Sequence, residues 1–296
     1  MSPTSDLSGG PKPDISVIVP VYHHWDLVLG LLEDLAAQSL DPARIEIILV
    51  DNDPGTPPPA HITRALPAQA RILPCSTPGS YAARNTGAAE AHGSLLVFTD
   101  ADCRPEPGWL AALAIADDGT TLLAGPVAVD PGSDPNRYAL YDGIRGIPQA
   151  RYVRLGYAAT ANLAVPSAIF RATSGFDAAR FSGGDAAFCK TARAQGHGIR
   201  LVETARVHHP ARTTWDDLAT KARRVKGGQI RGGTPKSRAI WLMRTLTPPL
   251  RAATRFARAE RPLTERLAAI RVLFALWGAE LAETTRLLTG GKPERR

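Results

Sequence analysis

Apolar residues along the first hundred positions fall alternately into unbroken runs and into runs spaced by three and four. ISVIVP (15–20) is continuous and predicts a strand buried on both faces. DLVLGLLEDLAAQS (26–39) spaces Val28, Leu31, Leu32 and Leu35 at helical intervals, so it predicts a helix. IEIILV (45–50) predicts a second strand and RILPC (71–75) a short third one, with the Pro-interrupted PPPAHITRALPAQ (57–69) between them. SYAARNTGAAEAHG (80–93) predicts a helix of small residues closed by Gly93, before SLLVFT (94–99) resumes the strand pattern. Strand alternating with helix predicts an α/β fold, a mainly parallel, Rossmann-like sheet with helices on both faces.

In open parallel sheets, ligands bind in the crevice at the carboxyl ends of the strands. Here the first strand runs into Pro20-Val21-Tyr22, the second into Asp51-Asn52-Asp53, and the third strong one, SLLVFT, into Asp100-Ala101-Asp102. A single Asp after a strand is usually a turn former or a helix cap. Asp100 and Asp102, two apart on an extended segment, point to the same side and repel unless a cation lies between them. A hard divalent ion with oxygen ligands answers that requirement, with substrate phosphates completing its shell. The chain has no G-x-G-x-x-G after its first strand and no G-x-x-x-x-G-K-[ST], which argues against dinucleotide oxidoreductases and P-loop enzymes.

Net charge of +7 invites a nucleic-acid partner, and its distribution changes that picture. Residues 1–203 carry 15 Lys and Arg against 21 Asp and Glu, net −6, while residues 204–296 carry 20 against 7, net +13. A nucleic-acid-binding protein would account for the basic tail and leave the acidic crevice unexplained. Three cysteines (Cys75, Cys103, Cys189) without metal-type spacing, after a start that has no apolar signal segment, predict reduced thiols in a cytoplasmic protein.

The series SVIVPVYHH, IILVDNDPG, GSYAARNTGAAEAHGSLLVFTDADCRPEPGWL, ATANLAVPSAIFRATSGFD and FSGGDAAFCKTARAQGHGI resembles family 2 of the inverting glycosyltransferases, which have the GT-A fold. The resemblance runs in order from residue 14 to about 210, which implies a glycosyltransferase domain over 14–210; residues 1–13, polar and rich in Pro, Gly and Ser, predict a flexible lead-in, and 211–296 a basic helical extension. It implies that Pro20 and Tyr22 lie against the nucleotide base, although Tyr22 is equally a packed rim aromatic. Asp51 matches the acid that contacts the base, a carboxylate being able to accept the imide N–H of uracil. Asp53 matches the second member of that loop, and Pro54 after it departs from the family's Gly-Ser continuation. Arg84 and Asn85 match a donor-facing segment, where the forked guanidinium suits a diphosphate or its neighbouring acids. Asp100 and Asp102 match the metal-binding acids, the ion being Mg²⁺ or Mn²⁺. His208 or, with the better spacing, His209 falls where the family has a histidine that reaches the metal or a phosphate.

Inverting transfer needs a base to take the acceptor's proton. The family's base is the Asp of a Gly-Glu-Asp string that opens a helix, and the resemblance implies Asp185, in Phe181-Ser182-Gly183-Gly184-Asp185, for that task. Gly184 stands where the family has Glu, so a catalytically inactive, glycosyltransferase-like binding protein is the alternative class. A sugar nucleotidyltransferase would want a glycine-rich basic loop where this chain has Val21-Tyr22-His23-His24-Trp25. Asn162 and the turn Ser174-Gly175-Phe176-Asp177 match the stretch that brings the acceptor region to the donor.

Beyond the core resemblance, WDDLATKARRVKGG (215–228) predicts a basic helix; in the family such a segment can close over the donor, which implies that Lys221, Arg223, Arg224 and Lys226 meet the diphosphate or an anionic surface, unless they form a solvated face. No Gln-x-x-Arg-Trp string marks a processive synthase, which favours single-sugar transfer. In LAAIRVLFALWGAELAETTRLL (267–288), Arg271, Glu280, Glu283 and Arg286 interrupt the roughly 20 apolar residues that a membrane span needs. That helix either packs on the core or another subunit, or lies in a membrane interface with Trp241 and Trp277 as anchors. The expected function is transfer from a nucleotide-diphosphate sugar, UDP-linked, to a glycan or lipid-linked acceptor, in bacterial cell-surface polysaccharide synthesis, in the cytoplasm or at the inner face of the membrane.

Overall fold

The computed structural model describes residues 13–232 and 234–294, so the lead-in expected over 1–13 lies, but for Pro13, outside the described residues. Its first half alternates as the apolar pattern predicts: β1 (Ile15–Val21), α1 (Trp25–Ala36), β2 (Ile45–Asp51), α2 (Ala60–Ala65), β3 (Ala70–Pro74), α3 (Ser80–Ala89) and β4 (Leu95–Phe98). There follow β5 (Arg104–Pro105), α4 (Trp109–Ala116), β6 (Thr121–Ala124), β7 (Val127–Asp130), α5 (Arg137–Arg145), α6 (Gln149–Arg154), β8 (Leu163–Pro166), α7 (Ser167–Ala172), α8 (Gly184–Ala194), β9 (Gly198–Leu201) and β10 (Val207–Pro210). After β10 come α9 (Trp215–Arg231), α10 (Pro235–Leu246), α11 (Leu250–Ala257) and α12 (Leu263–Leu288).

Seven strands form one sheet in the order β3-β2-β1-β4-β8-β6-β9. Its pairings are parallel except those of β8, which runs antiparallel to both β4 and β6. A small second sheet, β5-β10-β7, carries the residues after β9 back beside the first. Alternation sends Val17 and Val19 to one face, against Leu31 and Leu35 of α1 and Trp109 and Leu113 of α4. Ile18 faces the other way, into a cluster with Ala83 of α3, Phe170 of α7 and Phe188 of α8. The small residues of α3 have a steric reason: a Cβ on Gly87 would come within 2.6 Å of Ile18.

At the amino end of the strands, Glu46 organises a buried hydrogen-bond set. Its carboxylate accepts from the Ser16 hydroxyl, the His92 and Gly93 amides and the Arg71 guanidinium. This explains why α3 stops at Ala89 rather than at the expected Gly93, since the last residues of that stretch turn to feed Glu46. Burial pushes the Glu46 carboxyl up, but the hydrogen bonds led by Ser16 outweigh it and bring it from 4.5 down to about 2. A depressed carboxyl stabilises the fold fully above its unfolded value, and that stability is lost as pH falls from 4.5 towards 2. Denaturant unfolding from pH 6 to pH 2.5 should show a loss from this group on the order of 3 kcal/mol, and Glu46→Gln should flatten the curve in that window.

A third cluster joins Leu140 and Tyr141 of α5, Leu218 of α9, Phe256 of α11 and Val272, Leu273 and Leu276 of α12. Helix α12 therefore packs on the rest of the chain, with Trp277 donating its indole N–H to the Thr245 carbonyl at 2.7 Å. Among the described residues no helix is long and apolar enough to cross a membrane.

Candidate active site

The carboxyl ends of β1, β2 and β4 lie side by side, because β1 pairs with both of the others in parallel. Tyr22, just past Pro20 and the end of β1, is exposed at the rim, and His23 beside it places its Nε2 3.5 Å from Asp53. Asp51 closes β2 buried, its Oδ1 accepting the Asp53 amide at 3.0 Å. Asn52 between them pins the loop: its amide donates to the carbonyls of Cys75 and Thr77 and accepts from Gly79 N–H. Nothing in the sequence singled out Asn52, because its partners lie more than twenty residues on.

Past β4, Asp100, Asp102 and His209 bring their ligand atoms within 4.8 Å of one another. His209 is held by the parallel pairing of β10 with β7 and stands 3.5 Å, Nε2 to Oδ2, from Asp102. Its Nδ1 lies 2.7 Å from the Pro210 carbonyl, an acceptor for the Nδ1 proton, and its Nε2 faces the acids. Strand alternation turns His208 away, to Glu106 at 3.1 Å. Burial pushes the Asp102 carboxyl up, and Asp100 adds to this while His209 opposes it. Two carboxylates and an imidazole nitrogen are a donor set that fits a divalent metal ion.

Arg84 is 3% exposed on α3, not the solvated charge that a helical arginine usually is, and its Nη2 donates to Asp100 Oδ1. Asn85, expected at the donor, spends its amide on Phe176, donating to the carbonyl at 2.7 Å and accepting from the N–H at 2.9 Å. It thereby clamps the Ser174–Asp177 turn, in which Ser174 and Gly175 both have left-handed backbone (φ 60° and 69°). Asn162 is buried and structural: it accepts from the Trp109 indole at 2.9 Å and donates to the carbonyls of Pro126 and Ala205.

Asp185 lies in the first turn of α8, inside the helix rather than at its cap, which is Gly183 with φ 69°. Its Oδ1 accepts the Ala186 amide at 2.9 Å and the Tyr81 hydroxyl at 3.4 Å. Burial pushes the Asp185 carboxyl up, with the Ala186 amide and the Arg84 charge opposing. Tyr81 also has the Arg84 guanidinium 5.9 Å from its ring centre, so it stands between Asp185 and the acid that Arg84 holds.

The basic face of α9 divides. Arg224 lies in the electrostatic field of Tyr81, Arg212, Asp100 and Arg84, with its Nε buried and unpartnered. Burial, then Arg212 and Arg145, bring the Lys221 ammonium down to about 7. Arg212, which the sequence reading passed over, is fixed there by Asp142 at 3.0 Å. Arg223 and Lys226 go elsewhere, to Glu294 and Glu280 at 3.0 Å each, which corrects the expectation that all four cations face an anion together.

The glycosyl transferase family 2 model matches residues 16–175, more than half of the chain. Glycosyltransferase AglE of Haloferax volcanii is 27% identical over 94% of this chain and 96% of its own length. The pre-mycofactocin glycosyltransferase of Mycobacterium tuberculosis is 28% identical over 73% of this chain, which spans only 47% of that relative. Among solved structures, the mannosyltransferase PcManGT of Pyrobaculum calidifontis, in complex with GDP-Man and Mn²⁺, superposes with a TM-score of 0.61 at 17% identity over 94% of this chain and 88% of that one. S. aureus TarS 1-349 in complex with UDP gives 0.52 at 16% identity over 94% and 92%. These likenesses fix the GT-A fold, and the extent of the family match makes the chain a member of glycosyl transferase family 2.

Proposed function

We propose that the chain transfers a single sugar, with inversion, from a nucleotide-diphosphate sugar to a glycan or lipid-linked acceptor, with Asp185 as the general base. The observation that carries this is the joining of two half-sites: the Asp100, Asp102 and His209 cluster, and Asp185, linked through Arg84 and Tyr81. Asp100, Asp102 and His209 would hold Mg²⁺ or Mn²⁺, which when bound supplies charge to stabilise the leaving diphosphate. Arg84 keeps Asp100 oriented, and Arg224, Arg212 and Lys221 supply further cations on the same side. Asp51, with Asp53, Pro20 and Tyr22 around it, would receive the base. We read the donor as UDP-linked, since a carboxylate suits the uracil imide, and a GDP-sugar belongs in the same test because guanine also offers N–H donors. Thermal unfolding against UDP, GDP and their sugars, with and without Mn²⁺, checks the donor side. Ligand at about 100 times Kd should stabilise by about 2.7 kcal/mol. A chain that responds to no nucleoside diphosphate in the presence of metal has lost this assignment.

We read the extension as the side on which the acceptor is met. Residues 218–259 contain eleven Lys and Arg and no Asp or Glu. Within that stretch Ile240, Met243 and Leu246 are exposed at three-residue spacing on α10, and Leu250 is exposed where α11 begins after Pro248 and Pro249, with Lys236, Arg244 and Arg251 alongside. An apolar stripe edged by cations suits the interface of an anionic membrane. Phosphatidylglycerol vesicles should sediment the protein while phosphatidylcholine vesicles do not, and Ile240→Glu with Met243→Glu should abolish the binding. Self-association that those changes disrupt, without vesicle binding, would assign the stripe to a second copy instead.

A further inference from the structure

Gly184 is where the chain departs from its family at the helix that carries the base, and Tyr81 accounts for the departure. A Cβ on residue 184 would lie 2.7, 2.8 and 2.9 Å from three ring carbons of Tyr81, closer than side chains tolerate. The ring cannot simply swing aside. It packs against Phe176 at 5.6 Å between centroids, and Phe176 belongs to the aromatic cluster with Phe98, Phe170 and Phe188. The hydroxyl at its end accepts the Gly184 N–H at 2.9 Å, satisfying one of the orphan donors of the α8 amino terminus. Its own proton points to Asp185 Oδ1, 3.4 Å away.

We propose that Tyr81 and Gly184 form a matched pair, in which Tyr81, reaching across from α3, is the positioning residue for Asp185. Glycine at 184 makes room for the ring, and the ring returns a polar contact beside the base. The departure is then a substitution of one support by another, not a lesion. Burial, with the Asp185 charge, pushes the Tyr81 phenol up to about 12, so it remains a hydrogen-bond donor throughout the range in which a carboxyl base works. The other groups that face Asp185 are Arg84 of α3, Tyr157, Cys189 of α8 and the backbone N–H groups of Ala186 and Thr160. None of them would be altered by loss of the phenol oxygen alone.

This inference rests on the base assignment only for its catalytic consequence, and the test separates the two. In protein labelled at the Asp carboxyl carbons, the Asp185 titration should move upward by about half a unit to one unit in Tyr81→Phe, because the carboxylate loses a donor. That measurement needs no substrate. Release of nucleoside diphosphate from UDP- and GDP-sugars, with Mn²⁺ and water as acceptor, should fall in kcat by roughly tenfold in the same variant, with donor KM within about twofold. Gly184→Glu alone should unfold at lower temperature, and Tyr81→Ala with Gly184→Glu should recover part of that loss by opening the space. An Asp185 titration unmoved in Tyr81→Phe, or a double variant no better than the sum of its single changes, overturns the pairing. Full turnover in Asp185→Asn would instead overturn the base assignment and leave the titration result standing.

Discussion

Asp185→Asn is expected to lower sugar transfer by about 10²- to 10⁴-fold while leaving metal-dependent nucleotide binding intact. The change is nearly isosteric and keeps an acceptor oxygen for the Tyr81 hydroxyl and the Ala186 amide, so the α8 amino terminus should hold. On the proposed reading it removes the one property that transfer needs from this position, the capacity to take a proton from the acceptor hydroxyl as the sugar carbon is attacked. A carboxyl raised by burial is a better match to that proton than an exposed one. In the wild type the acid limb of the kcat profile should therefore lie above the range of an exposed Asp. Single-turnover transfer and nucleotide binding measured side by side decide the point. Equal losses in both would mean that the substitution damaged the donor site, and unchanged transfer would remove Asp185 from the base role.

The parts of this site that sequence reading reached are those whose geometry is local. Sequence places Asp100 and Asp102 on one side as residues two apart on an extended segment; the acids do come together, but through a turn after β4 in which the Cys103 N–H donates to the Asp100 carbonyl at 3.1 Å, and only the strand before them is legible as such, from Leu95-Leu96-Val97-Phe98. Asp51 ends a strand for the same kind of reason. The pairing of β10 with β7 turns His209 inward and His208 outward, and spacing already favoured His209. What escaped was set by partners far along the chain. Asn85 has the residue type of a donor ligand, yet its amide is taken up by Phe176, 91 residues away. Lys221 and Lys226 look alike on the page, and only the packing of α12 on α9 decides that Lys226 is buried against Glu280 and Thr245. Tyr81 carried no signal at all, since its meaning comes from Gly184, 103 residues later. Helix α3 ended early for a similar reason, a glutamate two strands back that claims the amides following it.

Asp102→Asn and His209→Ala are each expected to abolish the increment in thermal stability that Mn²⁺ adds to nucleotide binding, and to cost transfer about 10²- to 10³-fold, or roughly 3–4 kcal/mol. The reasoning is electrostatic. Asp100 and Asp102 together outweigh Arg84 by one negative charge, which repels a diphosphate; a bound divalent ion would turn that balance positive. Arg224, Arg212 and Lys221 nearby cannot make that reversal themselves, because they lie on α9 and the segment before it rather than between the two acids. His209 is a clean position to change, since its Nδ1 contact is to the neighbouring Pro210 carbonyl. Asp102 is informative in a second way: its carboxyl is pushed up by burial and by Asp100, so the amide should leave the metal-free protein as stable as before or more so. A chelator should reproduce the loss in the wild type and change nothing further in either variant. Nucleotide binding that is tight without metal, and indifferent to both substitutions, would move the diphosphate off this cluster and onto the α9 cations alone.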